Sequence, residues 1–353
     1  MLRIIHALLG EGHGAVVYVD DFLVLAPLSR IQEVCALLHC LLAALGCPLS
    51  EHKLKVGAHV TYLGFELDLD MATVGIPAEK AHKSLQFLDS LRAGQYVAKK
   101  DLEKGRGRLL WATWVSPALR PWLAPFFQCC AQTCRENRVR ISGQLAATCG
   151  FWKSALKNFS YLHKCEQRTE LGTLGAADAC AQGNIASLGG WWCDESDASL
   201  HNIKWFRVRL HMEDLPSWMR PQVSAQERIA FWELLAQVIL AVLRFRELQN
   251  VEGCVSISQS CDNQGAVGVS GKFFSTKAPM SYALQALAWH SVRASASVQV
   301  NFLPGKKNVW ADKISRWEQY PRFVAELNPM HEVRDFSIRE VLDPVWDFAQ
   351  LER

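Results

Sequence analysis

The apolar residues fall into short runs near the start, helical repeats in the middle, and strand-like runs followed by a strand–helix alternation towards the end. Residues 15–19 and 22–26 are two apolar runs flanking Asp20-Asp21, which predicts a tight β-hairpin with acids at its turn. Ser29 with Gln32 three residues later has the form of a capping box. Ile31, Val34, Cys35, Leu38, Leu41, Leu42 and Leu45 then recur at helical spacing, and Gly46 is a natural stop. A strand is predicted over 62–69, with 73–76 pairing back on it. Helices are predicted over 78–92, 99–115 and 142–159, and Pro117, Pro121 and Pro125 break the segment between the last two.

The pattern changes near Thr169. Residues 171–179, 187–193 and 204–210 read as consecutive strands. A long helix over 226–246, a strand over 255–261, a helix over 279–294, a strand over 297–303 and a short helix over 308–317 follow. Strands in a run and then an alternation predict a mixed sheet covered by helices, an α/β (α+β) class. A domain boundary is placed at 160–170, and the segment after Tyr320 has no readable pattern.

Composition narrows this. The chain has 353 residues, half of them apolar and 21% charged, which allows two or three domains with sizeable cores and excludes bulk disorder. The formal net charge is only +3, yet residues 92 to 140 carry ten Lys/Arg against three Asp/Glu, an excess that can face phosphates or simply form a solvated helix face. The twelve cysteines form no paired framework and no secretory leader is seen, so reduced thiols and an intracellular location are expected. Cys129, Cys130 and Cys134 cluster without a second pair at zinc spacing. No run approaches the ~20 apolar residues of a membrane span.

Two groups of acids carry the candidate chemistry. Adjacent carboxylates such as Asp20 and Asp21 repel, and one takes up a proton unless a cation holds both. Magnesium, a hard ion with oxygen ligands, is the usual answer, although Asp is also a common turn residue. The second group is Asp178 at the end of an apolar strand, Glu233 in a core-rich helix, Asp262 after a strand, and Asp312 in the last helix. Singly, each could be a helix cap or an exposed strand end, and Asp262 ahead of Asn263 and Gln264 has that form. Together, acids from separate elements can converge on two metal ions that activate water and stabilise a departing oxygen, the chemistry of phosphodiester hydrolysis.

Both groups carry family resemblances. Tyr18-Val19-Asp20-Asp21 between apolar runs resembles the palm hairpin of reverse transcriptases. Residues 45–50 leading to Lys53 look like the next palm motif, whose lysine protonates the leaving pyrophosphate, with Lys55 as the fallback. Residues 62–68, with Pro77 and Lys80, look like the hairpin that grips the primer end. Ala177-Asp178-Ala179-Cys180 with Gly189-Gly190-Trp191, Trp232-Glu233-Leu234-Leu235-Ala236, residues 261–267 and residues 303–316 are similar to the motifs of ribonuclease H. The last is similar to the C-terminal ribonuclease H motif of retrotransposons, particularly the tyrosine-recombinase (DIRS-like) group.

The resemblance implies a partial palm over 1–80, a helical thumb or connection over 81–165, a ribonuclease H-like domain over 166–320 and a tail over 321–353. It implies hydrolysis of the RNA strand of RNA–DNA hybrids by Asp178, Glu233, Asp262 and Asp312 holding two Mg²⁺, with Mn²⁺ as a substitute. The partners would be RNA–DNA hybrid and template–primer nucleic acid, and a missing N-terminal part of the polyprotein, with no membrane. The departures are specific. Polymerisation needs a further aspartate from an earlier palm strand, and the nineteen residues before Asp20 contain only Glu11, so Asp20, Asp21 and Lys53 are expected to be inactive alone. Leu303, after Phe302, stands where many ribonucleases H have a histidine that helps product leave. Glu227 lies six residues from Glu233 and so points elsewhere on a helix. Asn263, Gln264 and Ser275 are candidates for 2′-hydroxyl contacts, whereas Trp191, Trp192 and Trp289 read as core. A different class of reading is an inactive retroelement remnant that binds nucleic acid through its basic middle region.

Overall fold

The computed structural model describes Ile5, Leu9 and residues 12–47, 50–132, 137–158, 169–171, 174–194, 197–217, 219–220, 224–248 and 254–345. Glu11, Cys134 and the expected boundary at 160–168 lie outside the described residues, as do 48–49 of the second palm-like motif. The chain divides after Ala78 into two compact units.

In the first unit, β1 (Gly14–Tyr18) and β2 (Asp21–Leu25) form the predicted hairpin, with Tyr18 opposite Asp21. The two-residue turn is Val19-Asp20, and Val19 takes φ 56°, a conformation that costs a β-branched residue. Helix α1 (Ile31–Ala44) buries Val34 against Ile5, Leu9 and the inner face of the hairpin. The capping box is not formed: Ser29 sits inside a 3₁₀ turn, Leu28–Arg30, and the helix entry is held by an Arg30–Glu33 ion pair at 2.9 Å. Gly46 ends the helix at φ 67°, as its lack of a Cβ allows. The strand expected over 62–69 is two strands. Leu63 and Gly64 both take positive φ, which folds the run into β3 (His59–Tyr62) and β4 (Phe65–Asp68), and β5 (Thr73–Gly75) pairs with β4.

The second unit has a helical layer: α2 (Ala78–Asp89), α3 (Lys99–Ala112), α4 (Ala124–Cys130) and α5 (Gly143–Asn158). The short ribbon of β6 (Tyr96–Ala98) and β7 (Arg138–Arg140) lacks an alternating pattern long enough to read from sequence. Part of the basic excess is used internally. Arg106 lies over the Phe127 ring and Arg138 donates to the Tyr96 carbonyl. Cys129 and Cys130 are buried.

The rest of this unit is a mixed sheet covered by helices. Its order is β11 (Lys204–His211), β10 (Ile185–Cys193), β9 (Leu174–Gln182), β12 (Val255–Cys261), β13 (Ala296–Phe302). The first three are antiparallel, as consecutive hairpin strands must be, while β12 runs parallel to β9 and β13. A short β8 (Thr169–Leu171) pairs with the start of β12. Helix α6 (Ile229–Glu247) is buried over most of its length, and α7 (Gln264–Lys272), α8 (Met280–Arg293) and α9 (Val309–Ser315) complete the cover. The helical layer packs on α8, where Gln285 Nε2 donates to the Pro121 carbonyl and Phe151, stacked on Trp122, meets Trp289.

One face of α6 is polar although buried. Gln237 Nε2 donates to the carbonyls of Ala177 and Ser260, both at 3.0 Å, and Arg244 Nη1 to the carbonyl of Ser258 at 2.7 Å. These are strand carbonyls at the place where β9 and β12 share only one paired position. Buried backbone acceptors need donors, and the helix supplies them where the ladder does not. Residues 321–345, in the segment unreadable from its pattern, pack against the sheet. Trp205 Nε1 donates to the Asn328 carbonyl, Arg207 pairs with Glu332 and Arg246 with Glu340. Among the described residues no helix is long and apolar enough to cross a membrane.

Candidate active site

Glycine at 189 decides where the last helix sits. Gly189 is opposite Asp178 in the β9–β10 ladder. A Cβ there would stand 2.5 Å from the Ser315 backbone nitrogen and 2.7 Å from the Ile314 carbonyl carbon, so only glycine lets α9 lie this close to the sheet. Trp191 and Trp310 close the same contact edge to face, 5.0 Å between centroids. The approach carries the Ser315 hydroxyl to the Asp178 carboxylate, to which it donates at 2.5 Å, while Asp312 sits one turn earlier on the same helix.

The other two acids reach the place from different elements. Glu233 is in the second turn of α6, one turn before Gln237, and so shares the polar face of that helix. Asp262 directly follows β12. It is not a helix cap, because Asn263 caps α7 by accepting from the Ala266 amide at 3.0 Å, which leaves the Asp262 carboxylate free to face the other acids. Gly305 keeps that side open, since a Cβ there would lie 2.9 Å from Asp262 Oδ2.

Of the four acids, Glu233 and Asp262 fall in a cluster of three possible metal ligands, and Asp178 and Asp312 are linked to them through charge. Asp178 and Glu233 are each only 4% exposed. Burial, and then the negative charges of Asp262 and Asp312, push the Asp178 carboxyl up to about 7, against the opposing Ser315 hydrogen bond and the Arg316 charge. Burial, and then Asp178 and Asp262, push Glu233 up to about 9. Asp262 is also raised, by burial and by Asp312. The main cation in the group is Arg316, whose Nε donates to Asp312 Oδ1 at 2.8 Å. One partly exposed arginine does not neutralise four carboxylates, and buried acids held together this way keep protons unless a cation displaces them. An oxygen-rich donor set with excess negative charge suits a hard divalent ion.

Glu227 lies outside this group, bonded to the Ser224 hydroxyl on an exposed 3₁₀ turn. Asn263 and Ser275 are engaged with the amides of Ala266 and Lys277. Trp192 is core, and Trp191 and Trp289 are half-buried against aromatic neighbours.

The hairpin acids fare differently. Asp20 and Asp21 are exposed at the β1–β2 turn, and Tyr62 donates to the Asp21 carbonyl at 3.2 Å. Asp21 and Lys53 both line a groove of about 440 Å³ in the first unit. Among the described residues neither aspartate joins a cluster of three possible metal ligands, whereas His59, Asp68 and Asp70 do so at an exposed strand end.

A second feature was not legible as a site. A groove of about 700 Å³ runs from Ser315 between the β9–β10 turn and the end of α9, lined by Gln182, Asn184, Arg209, His211, Arg316 and Trp317 among others. Arg207 and Arg209 lie over the Trp317 ring at 5.7 and 5.3 Å. Arg209 is paired there with Glu318 at 2.6 Å, so amide, imidazole, guanidinium, carboxylate and indole groups share one groove beside the acid group. Arg316 at four residues from Asp312 could have been read as a helical ion pair, but Arg209 and His211 come from a strand that no local pattern links to the site.

Ser315 is the holding residue that this geometry predicts. Its hydroxyl joins Asp178 Oδ2 to the Asp312 carbonyl, at 2.5 and 2.9 Å. Ser315→Ala is expected to reduce metal-dependent turnover by about 10–100-fold, as loss of an outer-shell partner does. Steady-state turnover at saturating and limiting divalent ion checks this, and an unchanged metal requirement would remove Ser315 from the site.

No protein-family model matches the chain, and no curated relative is detected. Solved structures do. One is a foamy viral protease-reverse transcriptase dRH in complex with double-stranded DNA, at TM-score 0.38 and 12% identity, over 85% of this chain and 48% of that one. Another is a foamy viral protease-reverse transcriptase in complex with double-stranded DNA, at TM-score 0.36 and 12% identity, over 85% and 57%. The chain thus spans about half the length of the structures it matches.

Proposed function

We propose that this chain is a divalent-metal-dependent ribonuclease of the ribonuclease H type that cuts the RNA strand of RNA–DNA hybrids, from a retroelement of the DIRS-like group. The observation that carries the reading is the meeting of Asp178, Glu233, Asp262 and Asp312 from two strands and two helices with too little positive charge to balance them. These four would hold the metal, Mg²⁺ or Mn²⁺. When bound, paired ions supply an activated water and a stabilised leaving oxygen at phosphorus. The chain's own residues set the frame. Ser315 fixes the Asp178 carboxylate, Arg316 fixes Asp312, and the Arg209 and Trp317 groove holds the strand beyond the cut. RNA is distinguished from DNA in such sites through its 2′-hydroxyls.

Asp20, Asp21 and Lys53 belong to a polymerase-like hairpin unit. This unit is read as inactive in nucleotide transfer by itself, because the resemblance calls for a further aspartate from an earlier palm strand. The inactive-remnant reading would keep the groove and lose the metal, and nothing in the carboxylate set favours it.

The test is cleavage of a labelled RNA–DNA hybrid by the purified chain with Mg²⁺ and with chelator, alongside Asp262→Asn, and primer extension on the same preparation. Expected are chelator-sensitive cuts in the RNA strand only, none with the variant, and no extension. Equal cleavage by wild type and Asp262→Asn, or template-dependent extension, would overturn the respective half of the proposal.

A further inference from the structure

Within the carboxylate group lies a side chain that a magnesium site does not need. Cys261, the last residue of β12, is completely buried and its thiol donates to Glu233 Oε2 at 3.8 Å. Its sulfur, a Glu233 oxygen and an Asp262 oxygen lie within 4.8 Å of one another. These are three donors of mixed type on two elements, α6 and the end of β12.

The spacing is informative. A tetrahedral zinc ion takes sulfur at about 2.3 Å and carboxylate oxygen at about 2.0–2.2 Å, which places its sulfur and oxygen ligands roughly 3.6 Å apart. The Cys261 to Glu233 distance of 3.8 Å is already close to that edge. Gly305 approaches Asp262 without a side chain of its own, where a Cβ would lie 2.9 Å from Asp262 Oδ2. Magnesium avoids sulfur, whereas zinc and cadmium favour it, so the same pocket offers hard ions its oxygens and soft ions a sulfur as well.

We propose that Glu233, Cys261 and Asp262 form an inhibitory site for a thiophilic divalent ion, zinc being the physiological class. On binding, a metal–sulfur bond forms, the thiol proton leaves to solvent, and no electron is transferred. Glu233 and Asp262 are then withdrawn from the set that would hold magnesium. The binding part stands on the donor geometry alone, and the inhibitory part rests on the hydrolytic function proposed above.

The experiment uses the full chain, reduced and metal-free. Cadmium chloride is titrated into wild type, Cys261→Ala, Cys261→Ser and Asp262→Asn while the sulfur-to-cadmium charge-transfer absorption is followed. Wild type should show a tightest equivalent that all three variants lose, with the weaker signal of the remaining thiols unchanged. Zinc is then titrated into the hybrid-cleavage reaction at fixed Mg²⁺, each protein referenced to its own zinc-free rate. The wild-type inhibition midpoint should lie at least tenfold below that of Cys261→Ser. Identical cadmium titrations in wild type and the Cys261 variants would overturn the site, as would equal zinc midpoints. A cadmium signal that depends on Cys261, in a chain that cuts no hybrid, would instead keep the site and reject the ribonuclease function.

Discussion

Glu233→Gln and Asp178→Asn are expected to move activity and stability in opposite directions. Each should cut hybrid cleavage by more than the ~10–100-fold expected for Ser315→Ala, because each removes a carboxylate that is proposed to hold the metal directly. In chelator at pH 8, however, each should raise the melting temperature. The reason is the burial already described: both carboxylates are 4% exposed, and Asp178 is raised to about 7 and Glu233 to about 9. Raising a carboxyl from an ordinary value near 4 to about 7 disfavours the ionised fold by roughly 4 kcal/mol. The amide variants carry no charge to bury and keep an oxygen that can accept the Ser315 hydroxyl or the Ala179 amide. A gain of even 1 kcal/mol corresponds to about 2–4 °C in a domain of this size. Scanning calorimetry with chelator, next to cleavage with Mg²⁺, reads both effects. A variant that melts lower than wild type without metal and still cuts would show that these acids are structural and held by something other than a cation.

Much of this site was legible in the sequence because its acids sit on strongly patterned elements. The strand ending at Cys261 reads without error, since its apolar residues alternate and Asp262 follows at once. Glu233 is surrounded by residues that can only be core, so its burial follows from its neighbours. What could not be read depends on contacts distant in sequence. Gly189 looks like half of a Gly-Gly pair in a strand, and only the packing of α9 shows that its missing Cβ admits Ser315. The Arg209 and Trp317 groove joins residues more than a hundred positions apart. The run from Tyr62 to Leu69 was misread for a local reason. Its apolar period continues across Leu63-Gly64, but the positive φ of both residues turns the chain there, and alternation alone does not reveal such a turn. The ordered stretch after Tyr320 has no periodicity because it is held by single side chains, such as Glu332 and Glu340, on arginines of the sheet domain.

The same buried charges predict that metal stabilises the fold progressively more as pH rises. Asp178 and Glu233 have folded values of about 7 and about 9, above the ordinary carboxylate range near 4. Between about pH 4 and those values the native chain binds more protons than the unfolded one, so stability falls as pH increases. Below pH 4 both states are protonated and this group costs nothing. Above pH 9 both are ionised and the full cost, on the order of several kcal/mol, is present. A divalent ion binds the ionised carboxylates and must displace their protons, so its own contribution has the opposite slope. In chelator the melting temperature should therefore decline from pH 5 to pH 9, beyond any change shown by the Asp178→Asn, Glu233→Gln double variant. Adding 10 mM-scale Mg²⁺ should shift it little at pH 5 and most at pH 9, since stabilisation grows by about 1.4 kcal/mol for each tenfold gain in the ratio of ion to dissociation constant. The cleavage rate should follow, rising through the neutral range as protons leave the group. A magnesium shift that is the same at pH 5 and pH 9, or that survives in the double variant, would place the ion somewhere other than among Asp178, Glu233, Asp262 and Asp312.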